Sequence, residues 1–172
     1  IQLIGSGPTF DFMSQTESLR IDATAIIVGV PQFVRGGSGA DTIIGPQAYI
    51  APIAHTLIGG AGDDVITGGA SADFIKGEGG NDTMRGGDGS DTLSYSGNRS
   101  AYTVSLLSQS DSTYQISSQG EGTDVVSAFE FVRFADTAVS MQQLASEVSH
   151  SPQSSGVWSA AAYDQIHNDI SI

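Results

Sequence analysis

Aspartate recurs at one fixed place in a nine-residue pattern of this chain. The pattern reads glycine-glycine-x-glycine-x-aspartate-x-apolar-x and occurs five times, with four copies end to end. The copies are GGSGADTII (36–44), GGAGDDVIT (59–67), GGASADFIK (68–76), GEGGNDTMR (77–85) and GGDGSDTLS (86–94). The sixth places hold Asp41, Asp64, Asp73, Asp82 and Asp91, and the eighth places hold Ile43, Ile66, Ile75, Met84 and Leu93. Repetition of this kind predicts a solenoid whose copies pack against their neighbours.

Carboxylates at this regular spacing can bind a hard cation. If copies two apart stack at the strand spacing of about 4.8 Å, Asp64 lies beside Asp82, and two such carboxylates repel by roughly 3–4 kcal/mol at an effective dielectric constant near 20. A cation between the two carboxylates makes their net electrostatic interaction favourable. The loops offer carboxylate and carbonyl oxygens without His or Cys, which favours Ca²⁺ over Zn²⁺, copper or the more demanding Mg²⁺. One Gly-Asp turn would need no metal, because the Asp can cap its own loop, but five in register favour a cation.

The elements that position these carboxylates are short strands joined by glycine loops. Each copy divides into a six-residue loop and a three-residue strand, such as Val65-Ile66-Thr67, with the eighth-place residue facing one way. Strands this short need partners above and below. Two copies make one turn, so successive turns pair their strands in parallel around a thin apolar core. We therefore expect an all-β fold, a parallel β-roll, with a C-terminal β-rich cap and one or two short helices.

Composition narrows the classes of partner. The 172 residues carry a net charge of −13, with eight acidic residues between positions 36 and 94 beside only Lys76 and Arg85. This balance argues against nucleic acid and anionic membrane as partners. The absence of cysteine excludes a disulfide scaffold and a thiolate metal site. No apolar stretch is long enough to span a bilayer, and the start at Ile1, without an initiator Met or a basic n-region, predicts a piece of a longer polypeptide.

The nonapeptides resemble the glycine-rich, hemolysin-type calcium-binding repeats of RTX (repeats-in-toxin) proteins, which bacteria secrete through type I export machinery. The resemblance covers residues 36–94. It implies one ion between loops two repeats apart. The earlier loop gives its second- and fourth-place carbonyls and its Asp, and the later loop gives its first- and third-place carbonyls and its Asp.

This resemblance implies two to three calcium ions. The first site is implied to comprise Gly60, Gly62 and Asp64 with Gly77, Gly79 and Asp82. The second is implied to comprise Gly69, Ser71 and Asp73 with Gly86, Asp88 and Asp91, where Ser71 departs from the family's glycine. A third would bring Gly37, Gly39 and Asp41 to Gly59, Ala61 and Asp64 if residues 45–58 form an enlarged half-turn. His55 stands where an Asp would be expected, so no ion is expected opposite, and the ion series should stop after Ser94.

The flanks predict four regions along the chain. Residues 1–35 are a β-rich lead-in or N-terminal cap, with Leu19 and Ile21 facing inward, and residues 36–94 are the calcium-binding roll. Residues 95–148 are a C-terminal cap with strands over 101–107, 113–118 and 129–134, in which Glu130 and Asp136 hold turns. A capping box at Ser140 and Gln143 predicts a helix with Met141, Leu144, Ala145 and Val148 on one face, which closes the apolar end of the roll. Residues 149–172 are a linker and a helical stripe (Trp158, Ala162, Ile166, Ile170), interpreted either as a secretion signal or as a packed helix.

No enzyme motif is present: the chain lacks G-x-S-x-G, H-E-x-x-H and a P-loop. His55, His150 and His167 are scattered and predicted to be surface or turn residues. We therefore expect a non-catalytic, extracellular calcium-binding module that folds on Ca²⁺ and contacts the type I secretion machinery transiently; a catalytic domain could lie upstream in the parent protein. Two alternatives remain open at this point. The module could bind glycans through Tyr49, Tyr102, Tyr114 or Trp158, or it could assist an attached protease, lipase or polysaccharide-modifying enzyme.

Overall fold

The computed structural model describes residues 9–24, 32–47 and 53–149. These residues form fourteen strands, one 3₁₀ turn and one α-helix. In chain order they are β1 (Thr9–Asp11), β2 (Arg20–Asp22), β3 (Phe33–Arg35), β4 (Thr42–Ile44), β5 (Thr56–Ala61), β6 (Val65–Ala70), β7 (Phe74–Gly79), β8 (Thr83–Asp88), β9 (Thr92–Ser94), the 3₁₀ turn (Arg99–Ala101), β10 (Thr103–Ser108), β11 (Thr113–Ser118), β12 (Gly122–Ser127), β13 (Phe131–Arg133), β14 (Ala138–Ser140) and α1 (Met141–Ser149).

The strands form two seven-stranded sheets. The first sheet has the order β1-β3-β5-β7-β9-β13-β14, and the second has the order β10-β11-β12-β8-β6-β4-β2. Within the repeats, neighbouring strands of a sheet are parallel and two copies apart, with Ile66 opposite Met84 and Ile75 opposite Leu93. The predicted parallel β-roll is therefore confirmed.

The core lies between the two sheets and consists of eighth-place side chains. All five from the repeats are at most 1 % exposed. The same inward position on neighbouring strands is filled by Ile21, Val34, Leu57, Val126 and Val132, which are fully buried. Full burial of such a side chain contributes about 1.5–3 kcal/mol. Each of these strands contributes one fully buried side chain to the core. The stability of each turn of the roll therefore depends on the turns beside it.

The roll extends beyond the five nonapeptides in both directions. Upstream, β2 pairs with β4 so that Ile21 lies opposite Ile43, and β1 pairs with β3. Ile21 is fully buried and Leu19 packs partly against the core, as expected. Downstream, β12 pairs with β8 and β13 pairs with β9, both in parallel.

The C-terminal end is closed by antiparallel strands, an aromatic cluster and α1. Strands β10, β11 and β12 form an antiparallel meander. Tyr95, Tyr102 and Phe134 pack with ring centroids 4.7–5.8 Å apart. The predicted capping box is present at the start of α1: the Gln143 N–H donates to Ser140 Oγ (3.1 Å), and the Ser140 N–H donates to Gln143 Oε1 (2.9 Å). The helix buries Met141 and Leu144.

Several predicted features lie outside the described residues. They include the start of the lead-in, the linker beyond Ser149, and the stripe of Trp158, Ala162, Ile166 and Ile170. Within the part of the chain that the structure describes, no helix is long and apolar enough to cross a membrane.

We expect the close stacking of the loops to make adjacent glycines differ sharply in their tolerance of a side chain. Gly80 has φ +138°, and a Cβ there would lie 2.1 Å from the Gly62 carbonyl oxygen. Gly80→Ala should therefore lower the free energy of unfolding by about 2 kcal/mol or more, measured by urea denaturation in saturating calcium. A Cβ on the neighbouring Gly79 meets nothing within 4 Å, so Gly79→Ala is the matched control and should change stability by less than about 0.5 kcal/mol. Equal losses in both variants would contradict the stacked-loop geometry.

Candidate metal centre

The loops place one aspartate of each copy at an edge of the roll, where the carboxylates form hydrogen-bonded ladders. The backbone N–H of Asp64 donates to Oδ1 of Asp82 at 2.9 Å, and the N–H of Asp73 donates to Oδ1 of Asp91 at 2.7 Å. The N–H of Asp41 donates in the same way to Oδ1 of Asp64 at 2.7 Å. Each of these three carboxylates thus accepts from the sixth-place residue one turn of the roll earlier. The predicted side-by-side arrangement of these residues is what the structure shows.

The five repeat aspartates divide between the two edges of the roll. The first edge carries Asp41, Asp64 and Asp82, and the second edge carries Asp73 and Asp91. Position 55 precedes Asp73 on the second edge: the His55 N–H donates to Asp73 Oδ1 (3.2 Å), and the His55 Nδ1 accepts from the Gln32 N–H (3.1 Å). Burial lowers the pKa of His55, which favours the neutral ring. This geometry confirms that His55 takes an aspartate place. Of the expectation of a surface or turn residue, the surface part is wrong, because His55 is buried just before β5.

The second carboxylate oxygen of four aspartates is buried without a hydrogen-bond partner. These atoms are the Oδ2 atoms of Asp64, Asp73, Asp82 and Asp91. Their residues are at most 2 % exposed. Asp41 differs, because its Oδ2 accepts from the Gly37 N–H at 2.8 Å. Buried polar atoms in folded proteins nearly always have a partner, so four such oxygens on one kind of side chain fit a cationic ligand at this place.

The same carboxyl groups resist ionisation. Burial is the main cause that raises the pKa of Asp64 and Asp73 to about 7 and the pKa of Asp82 and Asp91 to about 6. The backbone hydrogen bonds of the ladder lower each pKa, but they do not offset the burial. Neighbouring acidic groups add to the upward shift, with Asp82 acting on Asp64 and Asp91 acting on Asp73. A cation beside these oxygens would remove both the desolvation and the repulsion.

Side chains alone do not complete a metal site. Within the described residues, no group of three or more His, Asp or Glu side chains is arranged to hold a metal ion. The remaining ligands must therefore be backbone carbonyls. Those of Gly62, Gly69 and Ser71 lie toward the next loop on the same edge, since a Cβ on Gly80, Gly87 or Gly89 would come within 2.1–2.3 Å of them.

The later loops contribute carbonyls from their first place. The Gly77 and Gly86 carbonyl oxygens lie 2.9 and 2.3 Å from a Cβ built on Gly59 and Gly68, respectively. At the third place, the Gly79 carbonyl accepts from the Gly62 N–H (2.8 Å). Strand register sets Gly60 opposite Glu78, Ala61 opposite Gly79, and Ala70 opposite Asp88. The donor set between stacked loops is therefore carboxylate and carbonyl oxygen, which fits a hard cation such as Ca²⁺.

The enlarged half-turn after Ile44 preserves this stacking. A Cβ on Gly60 would lie 2.0 Å from the Gly37 carbonyl, one on Gly62 2.6 Å from the Gly39 carbonyl, and one on Gly36 2.4 Å from the Gly59 carbonyl. The Ala61 N–H donates to the Gly37 carbonyl at 2.9 Å. The structure thus brings the loop that contains Asp41 onto the loop that contains Asp64, as the third predicted site requires.

One ladder residue, Asp124, was missed by the sequence analysis. The Asp82 N–H donates to its Oδ1 at 2.9 Å, and Tyr95 donates its hydroxyl to its Oδ2 at 2.8 Å. The segment QGEGTDVVS (119–127) has Gly at places two and four, Asp at six and Val126 at eight, opposite Met84. That pattern could have revealed a sixth, degenerate copy. On the second edge, Glu130 accepts from the Asp91 N–H at 2.7 Å, which agrees with its predicted structural role.

Comparison with known proteins agrees with this geometry. Residues 33–45 and 57–93 match the family model of the RTX calcium-binding nonapeptide repeat, in four copies. The chain carries RTX-type calcium-binding repeats. The matched ranges contain all five nonapeptides except Ser94. No curated protein and no solved structure gave a significant match to the chain. The RTX assignment therefore rests on the repeats and not on the flanks.

The raised pKa values predict an inverted pH dependence in the absence of calcium. The ordinary pKa of these carboxyls is 3.8, and burial raises it to about 6–7 in the fold without a metal. Between these values the folded state binds more protons than the unfolded state, so stability falls as pH rises from about 4 to about 7. In excess chelator, β-structure measured by circular dichroism should therefore increase from pH 7.5 to pH 5.3, which is still above the sequence pI near 4.1.

Calcium should reverse the direction of this dependence, because protons compete with the cation for the same oxygens. The calcium midpoint of the same signal should rise as pH falls from 7.5 to 5.3. A chelated chain that gains β-structure as pH rises would contradict the assignment of these carboxyls.

Proposed function

We propose that this chain is the calcium-binding module of a secreted bacterial protein, that it folds when it binds Ca²⁺ outside the cell, and that its unfolded state supports type I secretion. The RTX repeats support the calcium-binding role of a secreted protein. The observation that carries the folding role is the set of four buried, unpartnered carboxylate oxygens between parallel-stacked loops. Such oxygens are compatible with a stable fold only when they are protonated or bound to a cation.

The size of the electrostatic penalty supports a switch. An aspartate whose pKa rises from 3.8 to about 7 costs the folded state about 4 kcal/mol when it is ionised. Four such groups together approach the whole stability of a small domain, about 5–15 kcal/mol. At neutral pH and low calcium the unfolded chain is therefore favoured, which suits passage through a narrow export channel. Bound calcium supplies the positive charge that the ladder lacks, and the binding free energy becomes folding free energy.

We propose two to three ions, held by the residues that the RTX pattern specifies. The first pair of loops contributes Gly60, Gly62, Asp64, Gly77, Gly79 and Asp82. The second contributes Gly69, Ser71, Asp73, Gly86, Asp88 and Asp91, and the third contributes Gly37, Gly39, Asp41, Gly59, Ala61 and Asp64. Extracellular calcium modules bind with dissociation constants of about 10⁻⁴–10⁻³ M, which suits sites that fill outside the cell.

Glycan binding through the tyrosines receives less support from the structure. Tyr102 and Tyr114 are only 5 % and 6 % exposed, so neither ring offers a face for a sugar. Tyr49 and Trp158 lie outside the described residues. A role as an accessory domain of an attached enzyme stays a second proposal, and it is compatible with an RTX module.

The folding switch is tested by circular dichroism during a calcium titration at pH 7.5. We expect little β-structure in excess chelator and a cooperative gain in the millimolar range, with no comparable gain in equal Mg²⁺. Complete β-structure in excess chelator would contradict the switch.

Two neighbouring acidic residues provide a matched test of the ladder. Asp64→Asn removes a buried charge at the shared position of two proposed sites, so it should weaken calcium-dependent stabilisation while making the chelated chain less unstable. Asp63→Asn removes the same charge from an exposed residue whose Oδ1 accepts from the Asn81 N–H. We expect a rise of about tenfold or more in the calcium midpoint for the first variant and a change of less than about twofold for the second. Equal effects would assign the response to net charge and not to the ladder.

A further inference from the structure

Three strands of the first sheet carry the same outward-facing pair of residue types. Strands β3, β7 and β13 read Phe-Val-Arg, Phe-Ile-Lys and Phe-Val-Arg. Their middle residues are fully buried in the core. Side chains alternate between the two faces of a strand, so each phenylalanine and each cation faces outward. Phe131 is 45 % exposed, and Phe33 and Phe74 are half-buried.

Strand register turns these pairs into two straight rows. The aromatic row runs Phe33, Thr56, Phe74, Thr92 and Phe131 across neighbouring strands. The phenylalanines thus alternate with threonines and recur every second strand, at about 9.6 Å. The second row runs beside the first and holds the three cations; its members are Arg35, Ile58, Lys76, Ser94 and Arg133. Both rows follow the axis of the roll.

The second row, called the cation row, concentrates positive charge on a molecule whose net charge is negative. The whole chain has six Lys and Arg residues and a net charge of −13, yet three of the six lie in this one row. Glu78 bonds to both Arg35 (2.7 Å) and Lys76 (3.3 Å). Among the ion pairs of the described residues, none involves Arg133, whose side chain is exposed. The outward rows of the second sheet have only Arg20, which pairs with Asp22, and Arg85.

A groove lies between two of these cations. It has a volume of about 370 Å³, and its lining includes Phe74, Lys76, Ser94, Ser96 and Arg133. Ser94 is the small residue between Lys76 and Arg133 in the cation row, so the sheet is open there. A carboxylate in this groove would lie between Arg133 and Lys76, of which Lys76 also bonds to Glu78 (3.3 Å), while Phe74 offers an apolar part of the lining.

We propose that this outer face of the first sheet binds an acidic polysaccharide through its carboxylate groups. Lys76 and Arg133 donate charge-assisted hydrogen bonds to the carboxylate. Phe74 and Phe131 pack against the apolar faces of the sugar rings. The two-strand recurrence of aromatic and cationic side chains suits a linear polymer that lies along the roll axis. An anionic membrane surface requires a larger basic cluster, of about 4–8 Lys or Arg, and duplex nucleic acid presents a much denser line of charge.

The local charge makes such a contact compatible with the acidic chain. Interactions between exposed charges are screened beyond about 8–10 Å at physiological ionic strength, so the local charge at the groove is set mainly by Arg133 and Lys76 together with Glu78, which bonds to Lys76. The ladder carboxylates lie at the edges of the roll and are neutralised when calcium is bound. The face is therefore available in the folded chain, and binding should weaken with added salt.

The test uses the full chain in saturating calcium with acidic oligosaccharides too short to be cross-linked by calcium. The probes are a hyaluronan hexasaccharide and trigalacturonate, with neutral cellohexaose as the uncharged control, and binding is measured by calorimetry or NMR titration. We expect both acidic probes to bind and cellohexaose to bind about fivefold more weakly, since an exposed charge pair contributes up to about that factor.

Variants locate the contact. Arg133→Gln should weaken binding of the acidic probes about fivefold, and the double variant with Lys76→Gln should weaken it further. Phe131→Ala should reduce binding of the same probes. Arg85→Gln is the matched control, because Arg85 is an exposed cation at the same repeat place on the second sheet, and it should leave binding unchanged within about twofold. Calcium-dependent circular dichroism of every variant reports folding separately, so a failure of the calcium switch is distinguishable from a failure of this face.

Four outcomes would overturn the proposal. They are no binding of either acidic oligosaccharide at millimolar concentration, equal binding of cellohexaose, equal loss in Arg85→Gln, and binding of phosphatidylserine vesicles or an oligoglutamate peptide in preference to the sugars. The last result would assign the face to a membrane or to an acidic protein.

Discussion

The structure depends on how the buried carboxylates along the two edges of the roll are neutralised. The main-chain ladder satisfies one oxygen of each aspartate, as between Asp64 and Asp82. It leaves the second oxygen of four aspartates without a donor. The same stacking that aligns the strands therefore concentrates charge that the protein does not compensate by itself. Under the proposed function, folding and cation binding are coupled in one equilibrium.

Two positions in the ladders show how a carboxylate place or a carboxylate oxygen is satisfied by protein groups. His55 occupies an aspartate place with a neutral ring, which accepts through Nδ1 as a carboxylate oxygen would. Asp124 uses the Tyr95 hydroxyl in place of a cation at its second oxygen. The cap around Tyr95 and Phe134 thus has an electrostatic function as well as an apolar one, because it satisfies the last carboxylate of the first edge.

Sequence periodicity was sufficient for the central part of the fold. The sixth- and eighth-place residues alone predicted the parallel roll, the pairing of Asp64 with Asp82 and the inward face, since each follows from a fixed spacing. The degenerate copy at 119–127 was missed for two reasons. Gln119 replaces the first glycine of the pattern, and the antiparallel strands β10 and β11 separate this copy from the last regular copy, which ends at Ser94. The burial of His55 and the Tyr95 contact depend on tertiary packing, which spacing does not encode. The outward rows of Phe74 and Lys76 became visible only once the strand register was known.

The most direct measurement is a crystal structure of the chain grown in millimolar CaCl₂, with anomalous scattering used to locate the metal. The account predicts calcium between the loops of Asp64 and Asp82 and between those of Asp73 and Asp91, in contact with the carboxylate oxygens that lack protein donors. A well-ordered roll in which those oxygens bond to protein donors or water, with no ion between the loops, would contradict it.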